Sequence, residues 1–340
     1  MIPTKKILLT GGAGYIGAHT AVELIQQGFD VVLIDDFSKS DNSLLKGIEK
    51  ITEKKINFTE GDCKDSKFLD QLFHKEQFDS VIHFAAYKSV NESVREPLMY
   101  YDNNMHSMTS LLYAMQKFNV NEFIFSSSCT VYGQPDIIPV DENAPFKKAE
   151  SPYGATKQMC ERLLEDVAAA NKSLKVISLR YFNPVGAHPS ALIGEVPIGI
   201  PNNLVPYITQ TALGLREKLT VFGSDYQTPD GSCMRDFIHV VDLAQAHVKA
   251  VEKINEMPSN NEAFNLGTGE GVTVLSLVKK FMELSGVRLN YEIGPRRAGD
   301  IEKVYANPAK AKKLLGWQTK LSLEDSLRDA WRWEQKFAVK

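Results

Sequence analysis

Ile7-Leu8-Leu9-Thr10-Gly11-Gly12-Ala13-Gly14-Tyr15-Ile16-Gly17 is the stretch whose reading decides the fold. An apolar run of strand length passes without a break into a glycine turn, and the helix-like stretch Tyr15–Gln27 follows at once. The turn reads as G-x-x-G-x-x-G from Gly11, or as G-x-G-x-x-G from Gly12. Strand, bare turn and helix start make a cradle in which a pyrophosphate can rest on amide N–H groups at a helix N-terminus. Alone the motif is weak, since glycine turns after strands are common. Its weight comes from a second apolar strand, Val31–Ile34, which ends in Asp35-Asp36, at the ~20-residue distance where an acid meets the ribose. A carboxylate there accepts both ribose hydroxyls and repels a 2′-phosphate, so Asp35 favours NAD over NADP.

Working outward, the same rhythm continues. Val31–Asp35, Ile56–Glu60, Ser80–Phe84, Glu122–Ser127 and Val176–Leu179 are apolar runs of strand length. Asp65–Lys75, Met105–Lys117 and Tyr153–Ala170 are helix-like stretches between them. Strands apolar throughout, each followed by a helix, predict an α/β fold with a doubly wound (Rossmann) parallel sheet covered on both faces. Asp62-Cys63 then follows the third strand, and Phe84-Ala85-Ala86-Tyr87-Lys88 the fourth. In such a sheet these carboxyl ends border the cofactor crevice, and small Ala85 and Ala86 allow close approach.

After Arg180 the rhythm changes to a stretch rich in Pro, Gly and Asn, then to mixed helices and short strands. The expected organisation is a dinucleotide-binding domain over 1–180 and a smaller, less regular substrate domain over 181–340, with some late segments returning to the main sheet. The predicted late helices are Leu204–Leu213, Val241–Ile254, Thr273–Leu284 and Leu323–Gln335, and the predicted strands Leu219–Phe222, Ala263–Leu266 and Leu289–Glu292.

Composition narrows the classes of function. The 340 residues carry 39 Lys+Arg against 42 Asp+Glu, a net charge of −3. That argues against nucleic acid or an anionic membrane as the main partner. Cys63, Cys129, Cys160 and Cys233 lie far apart, without C-x-x-C or zinc spacing, so no metal is expected and the thiols read as buried in a reducing compartment. No apolar run approaches the ~18 residues of a membrane span. The apolar run before the glycines is too short for a signal-peptide core. A cytoplasmic protein is expected.

The second chemical signal is Tyr153-Gly154-Ala155-Thr156-Lys157, which puts a phenol and an ammonium on one helix face. Lys157 beside Tyr153 is expected to lower the phenol pKa, letting the tyrosine trade a proton with a substrate hydroxyl. The bland reading of Tyr-x-x-x-Lys is a surface pair; the glycine cradle upstream and Ser126-Ser127-Ser128 at the end of the fifth strand weigh against it. One of these serines is expected to hydrogen-bond the reacting oxygen. A serine hydrolase is disfavoured, because no G-x-S-x-G surrounds them.

With these residues in view, the chain resembles the extended short-chain dehydrogenase/reductase family, and within it the nucleotide-sugar 4-epimerases. The glycine turn and Ser151–Lys157 point only to the wider family. Ser126–Gly133, Arg180–Ser190, Gly199–Leu204, Arg235–Ala244 and Pro295–Asp300 extend the likeness, and Arg180–Ser190 followed by Gly199–Leu204 is the part particular to the 4-epimerases. The resemblance implies a catalytic trio of Ser128, Tyr153 and Lys157. It implies NAD contacts at Gly11, Gly14, Tyr15, Ile16, Gly17, Asp35, Asp62, Cys63, Phe84, Ala85, Ala86, Lys88, Asn103 and Phe182, with Tyr153 and Lys157 shared. For the UDP-hexose it implies Asn183, Asn203, Leu204, Arg235, Arg297 and Asp300, with Lys88, Ser128 and Tyr153 again shared. Two arginines suit a diphosphate, which guanidinium groups bind by paired hydrogen bonds. His188 and His239 are read as structural, and Trp317, Trp331 and Trp333 as packing for the last helices.

In similar proteins the position seven residues after the second arginine of Arg296-Arg297 lines the sugar pocket near C2. A tyrosine there goes with exclusion of an N-acetyl group. Here the position is Val304, so acceptance of UDP-N-acetylglucosamine is expected. The implied activity is reversible C4 epimerisation of UDP-glucose and UDP-galactose through a 4-keto sugar, by a homodimer. The nearest rival, a nucleotide-sugar dehydratase or decarboxylase, carries acidic residues just after the hydroxyl matching Ser128; here those positions are Cys129 and Thr130. A non-catalytic NAD-sensing regulator would have no need of Ser128, Tyr153 and Lys157 together.

Overall fold

The computed structural model describes residues 5–297 and 300–338. The first part alternates strand and helix: β1 (Lys6–Thr10), α1 (Tyr15–Gln26), β2 (Asp30–Asp35), α2 (Leu45–Thr52), β3 (Asn57–Glu60), α3 (Ser66–Glu76), β4 (Ser80–His83), α4 (Val90–Arg95), α5 (Pro97–Lys117), β5 (Glu122–Ser128), α6 (Pro152–Ala170) and β6 (Lys175–Tyr181). Shorter elements follow: β7 (Asn183–Val185), α7 (Leu204–Ala212), β8 (Leu219–Phe222), β9 (Met234–Arg235), β10 (Phe237–His239), α8 (Val240–Lys253), β11 (Asn261–Leu266), β12 (Val272–Thr273), α9 (Val274–Ser285), β13 (Tyr291–Gly294), β14 (Lys303–Val304) and α10 (Leu323–Phe337).

Seven parallel strands form the main sheet in the order β11-β6-β5-β4-β1-β2-β3. The continuous apolar runs have a simple cause. Successive side chains of a strand point to opposite faces, and both faces are covered: Ile7, Leu9, Val31 and Leu33 pack into one core with α1 and α8, while Leu8, Val32 and Ile34 pack into another with α3 and α5. Each fully buried aliphatic side chain contributes about 1.5–3 kcal/mol.

The sheet order reverses between β1 and β4, which opens a crevice at the carboxyl ends of the strands. The late strand β11 joins the sheet beside β6, and α8 packs on α1. Helix α5 begins eight residues earlier than its apolar pattern predicts. Pro97 is at its start, and the polar Asp102-Asn103-Asn104 hid its first turns. The last predicted strand lies two residues further on, at β13, because Tyr291 is the residue that registers with Leu219 of β8. Leu289 is buried in the core before the strand begins. Trp317 and Trp333 are buried as read, and each indole N–H donates to a backbone carbonyl, of Asp242 and Glu195.

No helix among the described residues is long and apolar enough to cross a membrane. Nor does any cluster of His, Cys, Asp and Glu among them suit a metal ion.

Candidate active site

Gly11 takes φ +71°, and a Cβ on it would lie 2.8 Å from the Ala85 amide nitrogen. The backbone of β1's turn and that of the Phe84–Ala86 stretch are therefore in direct contact. At Gly17 a Cβ would meet the Gly11 carbonyl oxygen at 2.3 Å, so only glycine lets α1 start this close to the turn. Gly14 is the N-cap of α1 and offers no side chain to its free amides. A bare turn, uncapped helix amides and an acid at the next strand end fit a dinucleotide.

Asp35 closes β2, buried to 8% exposure. Its carboxylate accepts from Ala13 N at 3.1 Å, Phe37 N at 3.1 Å and Ser40 Oγ at 2.6 Å. Burial raises its pKa, and these three donors oppose the rise. The carboxylate is thereby held rigid at the crevice. Replacing it with alanine removes an acceptor in charge-assisted hydrogen bonds of about 1.5–3 kcal/mol. Asp35→Ala is expected to weaken NAD binding about 10- to 100-fold and NADP binding much less. Titrating both dinucleotides checks this, and an unchanged ratio of affinities would remove Asp35 from the ribose site. Gly17→Ala forces the Cβ against backbone and should cost about 1–3 kcal/mol, read as a lower denaturation midpoint together with reduced bound NAD.

Ser128 ends β5, and α6 lies alongside the sheet so that Tyr153 comes up to it. Helix α6 starts where it does because Ser151 Oγ accepts from Gly154 N at 3.2 Å and Pro152 takes the first turn. Burial pushes the Tyr153 phenol up to about 12, and the Ser128 hydroxyl acts against that rise. One turn on, Lys157 Nζ donates to the Ser126 carbonyl at 2.6 Å and lies 5.9 Å from the Tyr153 ring centre. Burial brings this ammonium down to about 8, with Glu161 opposing the fall.

Desolvation dominates Tyr153, and the Lys157 ammonium is directed at the Ser126 carbonyl. Of the three serines, only Ser128 faces the phenol; Ser127 Oγ donates to buried Glu161, whose carboxylate pairs with Arg180 at 2.7 Å.

The remaining expected cofactor residues spread along the crevice. Phe84 and Ala85 follow β4 with their amides on Thr10, at 3.0 and 3.3 Å. Ala86 continues that stretch, half-buried. Tyr15 directs its hydroxyl to the Gly186 carbonyl at 2.7 Å, and half-buried Ile16 packs beside it. Asp62 is half-exposed and accepts from Lys64 N, while buried Cys63 has its thiol pushed up to about 12. Asn103 donates to its neighbour Asn104, and Asn104 links α5 to the Tyr87 backbone and to Thr156 of α6. Asn104 was not anticipated; a buried amide pair in a helix was the available signal. Phe182 packs with Val131, Tyr132, Val140 and Val304.

Most of the residues expected at the substrate fall into two groups. Asp300 lies 2.7 Å from the Arg297 guanidinium and 3.8 Å from that of Arg235. Val304 registers with Arg235 across the β14–β9 pair. In the other group, Glu195 meets Lys88 at 3.5 Å and accepts from Asn203, the N-cap of α7, where Leu204 is the first helical residue. Glu195 too escaped the sequence reading. Asn183 sits on β7 with its side-chain amide on the Asp236 carbonyl at 3.0 Å. His239 caps α8 by accepting from Val241 N, and His188 bonds locally to Ser190, as structural residues do.

The model of the NAD dependent epimerase/dehydratase family matches residues 7–267. A UDP-glucose 4-epimerase of Bacillus subtilis is 49% identical over 328 residues, 96% of each chain. Among solved structures, a UDP-glucose 4-epimerase from Bifidobacterium longum in complex with NAD+ and UDP superposes at TM-score 0.94, with 44% identity over 97% of this chain and 98% of its own. One from Stenotrophomonas maltophila with bound NAD and formylated UDP-arabinopyranose superposes at 0.96, with 46% identity over 98% of this chain and 99% of its own. A family match, a sequence likeness and a fold shared over nearly the whole chain leave one conclusion: this chain belongs to the NAD dependent epimerase/dehydratase family, among its UDP-glucose 4-epimerases.

Proposed function

We propose that the chain interconverts UDP-glucose and UDP-galactose by reversible epimerisation at C4, through a transient 4-keto sugar. The observation that carries this reading is Tyr153 beside Ser128 at the carboxyl end of β5, over the crevice that the glycine turn opens. Gly11, Gly14, Gly17, Asp35 and the Phe84–Ala86 stretch would hold NAD. When bound there, NAD supplies the hydride acceptor and donor for C4 and a positive charge beside the phenol. Tyr153 takes the proton from the 4-hydroxyl and later returns it. Ser128 holds the same oxygen by a hydrogen bond. Lys157 orients the ribose and keeps positive charge near Tyr153. Arg235 and Arg297 bind the diphosphate, Asn183 the sugar side, and Lys88, Asn203 and Leu204 close the other wall. The dinucleotide then belongs to 1–180 and the UDP-sugar mainly to 181–340.

Elimination chemistry of the dehydratase type finds no acid here. Burial pushes the Cys129 thiol up to about 12, and Thr130 Oγ1 is buried without a hydrogen-bond partner. The same reading extends to UDP-N-acetylglucosamine through Val304. Dimerisation through α5 and α6 is supported by Leu98, Tyr113 and Met159, which are 83%, 73% and 48% exposed on these helices. A cytoplasmic location is the reading that the sugar-nucleotide chemistry and four unpaired cysteines support.

The test is an equilibrium assay with UDP-glucose and UDP-N-acetylglucosamine side by side. Turnover of UDP-glucose to UDP-galactose without net NADH is expected, since NAD is regenerated each cycle. Net NADH, or no galactose product, would refute the epimerase reading.

A further inference from the structure

Asp236 is fully buried, between Arg235 and the start of β10. A lone buried carboxylate is costly unless it is bonded throughout, and this one is. Oδ1 accepts from Thr268 N at 2.8 Å and from Thr268 Oγ1 at 2.7 Å. Oδ2 accepts from Gly269 N and from Ala306 N, both at 3.1 Å. Two chain segments far apart in sequence therefore meet on one side chain. The Asp236 backbone adds a third: its carbonyl accepts from both the main-chain and the side-chain nitrogen of Asn183, each at 3.0 Å.

The surroundings are shaped for this grip. A Cβ at Gly267 would fall 2.4 Å from Asp236 Oδ2 and 2.7 Å from the Ala306 Cβ. Ala306 also forms a bridge to Val140, and it lies two residues beyond Val304. The thiol of Cys129, next to Ser128, feels the charges of both Arg235 and Asp236, which puts the grip beside the proposed reaction site.

We propose that Asp236 is the positioning residue for the UDP-sugar, fixing Asn183, Arg235 and the Val304 strand as one rigid unit. This rests on the function proposed above. Its mechanism is geometric: the residue touches no substrate, but the three that do so keep their spacing only while their backbones share this carboxylate and carbonyl. Every group facing the carboxylate donates, so an amide in its place must turn its NH2 toward at least one N–H. Asp236→Asn therefore loosens the unit with almost no change of volume.

The experiment measures KM and kcat for UDP-glucose, the Kd for UDP alone, bound NAD and thermal midpoint. In Asp236→Asn, KM and the UDP Kd are expected to rise about tenfold or more, the loss of one hydrogen bond to a charged group. The loss of kcat should be smaller, and bound NAD should stay at the wild-type level, because the glycine turn, Asp35 and the Phe84–Ala86 stretch that would hold most of the dinucleotide lie at the ends of β1, β2 and β4. Thr268→Val removes one donor and keeps its N–H; it should raise KM about two- to fivefold, and Thr268→Ser should restore it. Wild-type KM and UDP affinity in both variants would overturn the proposal. So would a parallel loss of NAD, thermal midpoint and activity in Asp236→Asn while Thr268→Val behaves as wild type. A wild-type protein that fails to epimerise UDP-glucose would instead refute the proposed function, so the two failures are distinct.

Discussion

Tyr153→Phe is expected to lower kcat by about 10²–10⁴, the range for a positioned acid–base group, while NAD remains bound. The ring stays, so packing around α6 is untouched; only the proton carrier goes. The size of the effect follows from where the phenol sits. Burial pushes Tyr153 up to about 12, far from neutral pH, so the site must stabilise the phenolate before the tyrosine can serve as a base. Each unit of pKa is worth about 1.4 kcal/mol. The residues on hand for that work are the Ser128 hydroxyl, which already opposes the rise, and the Lys157 ammonium one turn on. The lysine, brought down to about 8, is still mostly charged at pH 7. Initial rates with UDP-glucose, beside the NAD content of the purified variant, check the prediction. Near-normal turnover in a variant that retains NAD would end the proposed mechanism.

Much of this was legible in the sequence, for a physical reason. A doubly wound sheet buries both faces, so β1, β2 and β5 carry the unbroken apolar runs Ile7–Leu9, Val31–Ile34 and Phe123–Phe125 and announce themselves. The glycines at 11 and 17 are demanded by close backbone approach, which no other residue allows. Helix boundaries failed where polar residues serve tertiary contacts: Asn103 and Asn104 disguise the start of α5 because Asn104 is occupied in joining three segments. Asp236 and Glu195 failed for the same reason. Each acts through partners distant in sequence, Thr268 and Ala306 for one and Lys88 for the other, and no local spacing encodes such a meeting. The setting of Lys157 was hidden in another way. The i, i+4 spacing of Tyr153 and Lys157 gives their face of the helix, but not the Ser126 carbonyl that draws the ammonium aside.

Val304→Tyr is expected to reduce turnover of UDP-N-acetylglucosamine by 100-fold or more, about 3 kcal/mol of steric discrimination. Turnover of UDP-glucose should fall far less. Val304 is 3% exposed and packs with Val131, Val140, Phe182 and Ala306, beside Arg235 in strand register. The neighbouring Tyr305 does not fill this side. It follows the end of β14, and its ring lies against Gly271, where a Cβ would come within 2.9 Å of it. Val304 is thus a small member of a tightly packed wall that includes Phe182 and Tyr132, and a tyrosine ring is too large for that packing. Part of its bulk must move toward the proposed sugar, where the acetamido group is the larger occupant. Overpacking also costs stability, about 1–3 kcal/mol, so thermal midpoints belong in the comparison. Selective loss of the N-acetyl activity in a folded variant supports Val304 as the gate. Equal loss of both activities would make it a core residue and nothing more, and a wild type inert toward UDP-N-acetylglucosamine would show that a valine at this position does not admit the larger sugar.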